Sequence, residues 1–403
     1  MKSICIIGAG ECGTRAAFAL REEGFEGSIT LINGEDCTPY ERPPLSKPDR
    51  AKPEDRNQFY REIAPVEKFA EHKIDLLTNV HVTGINRQDQ SVNLSNDSTL
   101  TYDKLLLATG ATPRKVESND SSVLVMRTLA DAEQIYTKAQ QAKEVVIIGA
   151  GLIGLELAAE ICTRGIRVTV VEMADRAMAR AVPLATASKI IERHVQEGVC
   201  FKFNSKIVEI TKHQIVLGDG TLLPSDLTVA AIGVTPNTEL ASAANLTCEN
   251  GICVSSTLQT IDPNIFAAGD CANFTHPYYG QIRQETWRNA QEHGNYAALC
   301  MLGKAQNFTH IPWFWSDQYD LGLQIAGLHN ETDTATIRDL GDEATITFYT
   351  SKSGEITAAV GLGKGNKVAK DIRLAEMLIA KNKAPSLIDL ANPMLNLKKL
   401  LRA

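Results

Sequence analysis

The chain has 403 residues, which is more than one hydrophobic core usually organises, so two or three domains are expected. Its 22% of charged residues is typical of an ordinary globular protein, and its formal net charge of −7 argues against nucleic acid as a partner. The most apolar helical pattern, residues 145–161, contains Glu156 and Glu160, so no membrane span and no membrane partner are expected. Strand-like residues begin almost at Met1 without a secretory signal, which favours a cytoplasmic location.

The first predicted elements form one nucleotide-binding unit. An apolar strand runs into Gly8, Gly10 and Gly13, spaced as Gly-x-Gly-x-x-Gly, and a helical pattern follows. A second apolar strand, residues 28–33, then leads to Glu35, about 20 residues beyond the third glycine. This order of strand, glycines, helix, strand and acid is typical of a dinucleotide-binding unit.

The same order occurs a second time in the chain. An apolar strand at residues 144–148 precedes Gly149, Gly151 and Gly154, and a later strand ends at Glu172. The first glycine of each set allows a tight turn, the second admits a pyrophosphate, and the third lets helix and strand pack closely. The helix N-terminus offers N–H groups to the phosphates, and the acid accepts hydrogen bonds from a ribose. Two complete copies therefore predict that the protein binds two dinucleotides.

Later segments complete the predicted architecture. Two buried strands end in small-residue turns that could approach a ligand, at residues 105–114 and 260–270. From about residue 311, alternating apolar runs predict antiparallel strands, and residues 368–381 predict a helix. The predicted fold class is therefore α/β, with two Rossmann-like dinucleotide-binding domains and a C-terminal α+β domain.

The nine cysteines are scattered and contain no Cys-x-x-Cys pair, so neither a disulfide framework nor a metal site is expected. Cys248 and Cys253 flank Asn250-Gly251, which is a strong signal for a two-residue hairpin turn. The two thiols are expected to face each other across the strands, in reduced form and without a catalytic role.

Several motifs, taken together and in order, carry a family resemblance. They are PYERPPLSK at 39–47, ATGATPR at 108–114, GAGLIGLE at 149–156, TIDPNIFAAGDCA at 260–272, ETWRNAQ at 285–291 and WFWSDQ at 313–318. With these motifs the chain resembles, over nearly its whole length, the FAD-dependent NADH:ferredoxin reductases that serve bacterial oxygenases. The RPPLSK, ETW and WxWSDQ segments are fairly specific to that family, whereas the glycine loops are shared with a wider class of disulfide reductases.

The resemblance implies a glutathione-reductase-like arrangement and two cofactors. FAD is expected in a split domain, residues 1–108 and 229–310, and NADH in an inserted domain, residues 109–228, followed by the C-terminal domain, residues 311–403. The implied partner is a [2Fe-2S] ferredoxin, plant-type or Rieske-type, which passes electrons to a Rieske oxygenase or a cytochrome P450. A flavin suits this task because it accepts electrons in pairs and can release them singly.

The resemblance also implies roles for individual residues. The family places its FAD contacts at Gly8, Gly10, Gly13, Glu35, Arg42, Lys47, Val80, Ala108, Thr109, Gly110, Arg114, Asp270 and Trp287. It places its NAD contacts at Gly149, Gly151, Gly154, Glu156, Glu172 and Gly233. Glu172 favours NADH because its carboxylate would repel the 2′-phosphate of NADPH, although Arg176 and Arg180 lie nearby.

Three of these residues are expected to act in electron transfer. Lys47 would place a cation near flavin N5, Glu156 would reach the nicotinamide carboxamide or pair with the lysine, and Trp287 would lie beside the flavin. Two of these residues also have a plainer interpretation. Lys47 could be a solvated loop lysine and Glu156 a helix N-terminal acid that the dipole stabilises. For Trp313 and Trp315, packing between domains is the favoured interpretation.

One cysteine keeps a different enzyme class open. Disulfide reductases of the wider class carry Cys-x4-Cys after the ribose-binding strand, where this chain has Cys37 alone. Single-cysteine NADH oxidases, peroxidases and coenzyme A disulfide reductases use one redox thiol in a comparable place, so a catalytic Cys37 is the alternative. A mainly non-enzymatic role, like that of apoptosis-inducing factor, would call for a basic surface that the composition does not favour.

Overall fold

The computed structural model describes residues 1–49, 52, 56–117, 122–179, 182–305, 308–341 and 344–402. The chain divides into two compact units, each made of three segments. The first unit contains Met1–Glu41, Tyr60–Thr112 and Thr235–Pro312, and the second contains Arg42–Phe59, Pro113–Val234 and Trp313–Ala403. The predicted FAD, NAD and C-terminal domains were defined by expected function and not by compactness. Their boundaries therefore stay a prediction.

A five-stranded parallel sheet forms the centre of the first unit. Its order is Ile265–Ala267, Lys104–Leu107, Ser3–Ile7, Ser28–Ile32 and Ile74–Leu77. The strand at Ser3–Ile7 is central and almost wholly buried, as its continuous β-branched run predicts for a parallel sheet. The carboxyl ends of the central strands therefore meet at the edge where the first glycine loop begins.

Two helices of the first unit cross closely beside that edge. The helix Glu11–Glu22 packs on Trp287–Met301, and a Cβ at Gly294 would lie 2.4 Å from the carbonyl oxygen of Cys12. A glycine is therefore required at this crossing, since any side chain would force the two helices apart. This contact packs the first helix against the middle of the second, whose first residue is Trp287.

Smaller elements complete the first unit. Two three-stranded sheets contain Val82–Asn86, Ser91–Leu94 and Thr99–Thr101, and Ile252–Val254, Ala272–His276 and Gly280–Ile282. The remaining helices are Val66–Glu71, Glu239–Ala243 and the 3₁₀ turn Gly269–Cys271.

The second unit repeats the parallel architecture. Its sheet has the order Cys200–Lys202, Arg167–Val171, Glu144–Ile148, Leu227–Ala230 and Leu124–Val125. Its helices are Leu129–Ala139, Leu152–Cys162 and Leu184–Gln196, with 3₁₀ turns at Pro43–Leu45 and Arg56–Gln58. A small antiparallel sheet contains Ile207–Ile210, Gln214–Leu217 and Leu222–Pro224, and the short strands Ala111–Pro113 and Val234–Pro236 lie where the chain passes between units.

The C-terminal segment adds an antiparallel sheet to the second unit, as its alternating pattern predicts. The order is Trp313–Gln318, Leu321–Gly327, Ile356–Lys364, Thr345–Thr350 and Thr334–Asp339. The helix predicted at 368–381 is observed at Ala369–Ala380, and Leu387–Ala391 and the 3₁₀ turn Leu397–Lys399 follow. The predicted fold class is confirmed. No helix in the described part of the chain is both long and apolar enough to cross a membrane.

Candidate active site

The first glycine loop is shaped by two contacts that exclude any side chain. Gly8 has a φ of +102°, and a Cβ there would lie 2.2 Å from the carbonyl oxygen of Ala108. A Cβ at Gly13 would lie 1.9 Å from the carbonyl oxygen of Gly8. A Cβ at Gly10 would meet no protein atom within 4 Å, so this glycine leaves open space beside the helix N-terminus that it caps.

The second glycine loop repeats this geometry closely. Gly149 has a φ of +103°, and a Cβ there would lie 2.5 Å from the carbonyl oxygen of Ala231. A Cβ at Gly154 would lie 2.1 Å from Gly149 O, whereas Gly151 again faces open space at its helix N-cap. In both loops the backbone N–H groups of a helix N-terminus therefore face open space, which is the geometry that binds a pyrophosphate.

A cavity of about 390 Å³ lies in the first unit at the end of the first strand. Among its lining residues are Gly8, Val80 and Thr109, which the resemblance implies as cofactor contacts. His81, Asn237 and Glu239 also line the cavity, and the sequence did not single them out. Asn237 lies far along the chain from Gly8, so only the fold brings the two together.

The two predicted ribose-binding acids are held differently. The Glu35 carboxylate accepts a hydrogen bond from the Tyr40 hydroxyl at 2.6 Å. The Glu172 carboxylate accepts from the backbone N–H of Ala150 at 2.8 Å and of Ala174 at 2.9 Å. Because Ala150 lies inside the second glycine loop, Glu172 is fixed directly to the turn that is predicted to bind a pyrophosphate.

The predicted turn after residue 107 is tied together by Asn237. The Thr109 hydroxyl donates to the carbonyl of Asn237 at 2.7 Å, and the Asn237 amide donates back to the Thr109 carbonyl at 2.8 Å. Gly110 has a φ of +69°, and its carbonyl accepts from the Asn237 N–H. Farther along, Arg114 lies in the second unit, where its backbone N–H donates to the carbonyl of Gly233 at 2.9 Å.

Asp270 and Trp287 both lie in the first unit. Asp270 is in the 3₁₀ turn Gly269–Cys271, and its carbonyl accepts from Arg283 at 3.3 Å. The Gly269 N–H, which precedes it, donates to Nδ1 of the fully buried His293 at 3.2 Å. Trp287 is half-buried at the start of its helix.

A charged cluster lies in the second unit around the predicted pair Lys47 and Glu156. The buried Glu156 carboxylate accepts from the Ser46 hydroxyl at 2.5 Å and from the Ser316 hydroxyl at 2.6 Å. The Lys47 Nζ lies 3.4 Å from Glu156 Oε1 and 3.4 Å from Asp317 Oδ2. Three donors thus satisfy one buried carboxylate, as a buried charge requires.

Aromatic rings hold the lysine from another side. The Lys47 Nζ lies 4.6 Å from the ring centre of Trp315, and the Trp315 indole N–H donates to Asp317 at 3.0 Å. Trp313 stacks on Trp315 at 5.4 Å between ring centres. The Lys47 side chain is only 21% exposed. Its ammonium is positioned by the carboxylates of Glu156 and Asp317 and by the face of the Trp315 ring. Arg42 lies in the same unit and donates to the carbonyl of Arg127.

The sequence did not identify Ser46, Trp315, Ser316 and Asp317 as members of this cluster. All four lie inside the quoted RPPLSK and WFWSDQ segments, so the signal was present. Residues 46 and 316 are far apart in the chain, however, and only the packing of their elements shows that both meet Glu156.

The cysteines form no disulfide among the described residues, and those residues contain no group of three or more potential metal ligands. The Cys37 carbonyl accepts from the Asn33 amide at 2.8 Å, within the first unit. The predicted facing of Cys248 and Cys253 is wrong, because Cys248 lies opposite Ile252 across the turn. The loop is one residue longer than a two-residue hairpin, and a shift of one residue turns a side chain to the other face.

These features define a protein of the α/β class that binds two dinucleotides. The chain matches the family Pyridine nucleotide-disulphide oxidoreductase over residues 2–294 and the family Reductase C-terminal over residues 313–401. It belongs to the pyridine nucleotide-disulphide oxidoreductases, in the branch that contains rhodocoxin reductase and putidaredoxin reductase. The predicted resemblance is thereby confirmed, and the protein is an oxidoreductase.

Three relatives show how far the likeness extends. Rhodocoxin reductase of Rhodococcus erythropolis is 35% identical over 393 residues, which are 95% of this chain and 92% of the relative. The 3-phenylpropionate/cinnamic acid dioxygenase ferredoxin--NAD(+) reductase component of Photorhabdus laumondii is 35% identical, over 91% of this chain and 94% of its own. Putidaredoxin reductase CamA of Pseudomonas putida is 37% identical, over 83% and 82%.

Two solved structures share the fold over the whole chain. The ferredoxin reductase for the CYP199A2 system from Rhodopseudomonas palustris has a TM-score of 0.93 and 34% identity, and 99% of each chain is covered. The covalent putidaredoxin reductase–putidaredoxin complex gives a TM-score of 0.92 and 32% identity, with 100% of this chain and 98% of the other covered.

Proposed function

We propose that this protein is an FAD-dependent ferredoxin--NAD(+) reductase that passes electrons from NADH to a [2Fe-2S] ferredoxin serving a bacterial oxygenase. The observation that carries this proposal is the Lys47–Glu156–Asp317 cluster, which provides a positioned cation in a protein with two dinucleotide loops. The relatives named for putidaredoxin, rhodocoxin and a dioxygenase ferredoxin support the same partner class. The ferredoxin is plant-type or Rieske-type, the oxygenase is reached indirectly, and the cytoplasm is the proposed location.

The first unit suits FAD. The cavity beside Gly8 and Val80 has room for an adenosine, and Gly10 leaves open space beside the helix N-terminus that a side chain would occupy. The residues that would hold FAD in this unit are Gly8, Gly10, Gly13, Glu35, Val80, Ala108, Thr109, Gly110, Asp270 and Trp287. The resemblance also implies Arg42, Lys47 and Arg114 as FAD contacts, and these residues belong to the second unit. When bound, FAD supplies a ring that takes two electrons from NADH and returns them one at a time.

The second unit suits NADH. Gly149, Gly151, Gly154, Glu156, Glu172 and Gly233 are the residues proposed to hold it. Glu172 is fixed by two backbone N–H groups, so its carboxylate stands ready for a ribose 2′-hydroxyl and against a 2′-phosphate. The Arg176 guanidinium donates to the carbonyls of Ala179 at 2.7 Å and Val182 at 2.9 Å, which occupies the cation that could favour NADPH. Arg180 lies outside the described residues.

In the reaction, the chain's own residues position charge rather than exchange protons. Lys47 holds a positive charge that favours negative charge developing on the reacting ring. Glu156 and Asp317 keep the ammonium in place, and Glu156 also presents carboxylate oxygen to a carboxamide. Trp287, half-buried at its helix N-terminus, is proposed to shield the reacting face from water.

The alternative enzyme class depends on Cys37, and one measurement decides between the two. We would titrate the purified yellow protein anaerobically with a reductant and follow the flavin spectrum. Full reduction by one flavin's worth of electrons supports a reductase without a thiol centre. Twice that amount, with a long-wavelength thiolate–flavin band partway, would establish Cys37 as a redox centre and overturn the proposal.

A further inference from the structure

A buried hydrogen-bonded chain extends from Glu156 to a residue that the proposed reaction does not use. Ser316 donates to Glu156, and the Gln318 side-chain amide lies 3.1 Å from the Ser316 hydroxyl. The Gln318 carbonyl oxygen lies 2.8 Å from Nε2 of His194, and the Tyr319 hydroxyl lies 3.5 Å from Nδ1. Ser316, Gln318 and His194 are all buried, so water does not compete for these groups.

The chemistry of each group determines the direction of the chain. An ionised carboxylate only accepts, so the Ser316 hydroxyl must donate to Glu156. The Gln318 NH₂ group then donates to Ser316, which turns the Gln318 oxygen toward His194 and requires a proton on Nε2. Nδ1 is left as an acceptor for the Tyr319 hydroxyl. All donors therefore point toward Glu156, and the His194 tautomer is fixed by the same chain that orients the Glu156 carboxylate.

The surroundings of His194 keep this arrangement constant at neutral pH. Burial lowers the pKa of His194 to about 4, so the imidazole stays neutral with one donor and one acceptor. Tyr319 and Phe201 meet the ring edge-on, at 4.9 Å and 5.9 Å between centres. Arg193, on the same helix, donates to Asp320 at 2.8 Å and so fixes the turn that carries Tyr319.

We propose that His194 and Gln318 are positioning residues that, through Ser316, hold the Glu156 carboxylate oriented toward the nicotinamide. This inference depends on the proposed function, in which Glu156 meets NADH. His194 touches no reacting atom, since three hydrogen bonds, through Gln318 and Ser316, separate it from the carboxylate. Without the His194 imidazole, the side-chain amide of Gln318 would be free to rotate by about 180°. Ser316 would then donate to the Gln318 oxygen instead of to Glu156.

The test is a double-mutant cycle in the FAD-loaded enzyme, with His194→Phe, Ser316→Ala and the combination. We would measure the rate of flavin reduction by NADH and, separately, the dissociation constant of NAD⁺ by calorimetry. The combined change in the reduction rate and the dissociation constant is expected to be about three- to tenfold for each single variant, which is the scale of one hydrogen bond. The double variant is expected to match Ser316→Ala alone. If the effects of the two single variants multiply in the double variant, the proposed positioning through the hydrogen-bonded chain is wrong.

Two further measurements separate positioning from packing. Phe201→Leu disturbs the ring against His194 but leaves the chain of donors intact, so it should leave both constants within twofold; an effect equal to that of His194→Phe would overturn the inference. Gln318→Met breaks the chain midway and should match His194→Phe, which keeps the test decisive if His194→Phe loses FAD. Histidine ¹⁵N resonances should show His194 protonated at Nε2, and a proton at Nδ1 would also overturn it.

The two proposals fail in distinguishable ways. If wild-type enzyme is reduced by NADH but the double-mutant cycle shows no coupling between His194 and Ser316, only the proposed positioning role is wrong. If NADH neither binds to the wild-type enzyme nor reduces its flavin, the proposed function is wrong, and the positioning role of His194 and Gln318 is wrong with it.

Discussion

The two glycine loops have nearly the same backbone and very different side chains. Gly8 and Gly149 share a φ near +100°, and in both loops the third glycine packs against the carbonyl of the first. Two residues after the third glycine, however, the first loop has Arg15 and the second has Glu156. The shared glycines make each loop able to bind a dinucleotide, and the side chains that follow determine what happens there.

The contrast at these equivalent positions is physical. Arg15 forms a pair with Glu11 one helical turn away, at 2.9 Å, and its side chain is 37% exposed. Such a pair contributes only about 0.3–0.5 kcal/mol to a helix. Glu156 is buried, and its hydrogen-bond partners come from distant segments of the second unit. The first loop therefore carries an exposed local ion pair, whereas the second loop carries a buried acid that we propose to take part in the reaction.

The largest effects are expected from the third glycines. A Cβ at Gly13 or Gly154 would overlap a backbone oxygen, and such overpacking typically costs about 1–3 kcal/mol. Gly13→Ala should therefore yield protein without FAD, measured by the absorbance of the purified enzyme. Gly154→Ala should keep FAD and lose reduction by NADH.

The middle glycines give the matched controls. A Cβ at Gly10 or Gly151 would meet no protein atom, so both alanine variants should fold as the wild type does and lose dinucleotide affinity. Loss of FAD from Gly154→Ala, with Gly13→Ala still yellow, would reverse our assignment of the two cofactors.

The next largest effects test the charged cluster. Lys47→Ala and Glu156→Gln should each slow the anaerobic reduction of the flavin by NADH about 10- to 100-fold, because they remove positioned charge. Arg15→Gln, at the position equivalent to Glu156, should leave this rate within twofold. Lys304→Ala is the control for Lys47, since Lys304 also pairs with an acid, Glu23, at 3.1 Å. Wild-type rates in Lys47→Ala would contradict the assigned role.

Each unit also contains a buried histidine that should make it sensitive to acid. Burial lowers the pKa of His293 to about 3 and that of His194 to about 4, against about 6.5 in an unfolded chain. The unfolded state thus binds more protons below pH 6.5. Each histidine contributes fully to stability above that pH and costs up to about 1.4 kcal/mol per pH unit as the pH falls toward its folded value.

The measurement is the melting temperature between pH 7 and pH 4.5. His293→Gln, which can still accept the Gly269 N–H, should lose less stability across this range than the wild type does. The exposed His213→Gln should follow the wild type. Parallel curves for wild type and His293→Gln would show that His293 is not a source of acid sensitivity.

The smallest effect is expected at Cys37. Cys37→Ser should leave the rate of flavin reduction by NADH unchanged, because the proposed reaction uses no thiol. A loss of more than about tenfold, well beyond the effect of one hydrogen bond, would favour the single-cysteine class instead. Cys300→Ser is a matched control, since burial raises the pKa of that thiol to about 12 and leaves it inert.

Local patterns in the sequence determined the parts of this protein that depend on neighbouring residues. The two strand–glycine–helix–strand–acid units, the antiparallel C-terminal segment and the helix near residue 370 were all predicted, because hydrophobic period and glycine spacing act over a few residues. The hairpin at Asn250 shows the limit: the turn was found, but its pairing was wrong by one residue.

Only the tertiary structure decided which distant residues surround the groups that we propose to act in the reaction. Lys47 and Glu156 were named from motifs, but Ser46, Ser316 and Asp317 joined them only through packing. The same is true of Asn237 beside Thr109 and of His194 behind Gln318. A buried charge needs donors from whatever segments the fold brings near it, and sequence spacing carries no record of those neighbours.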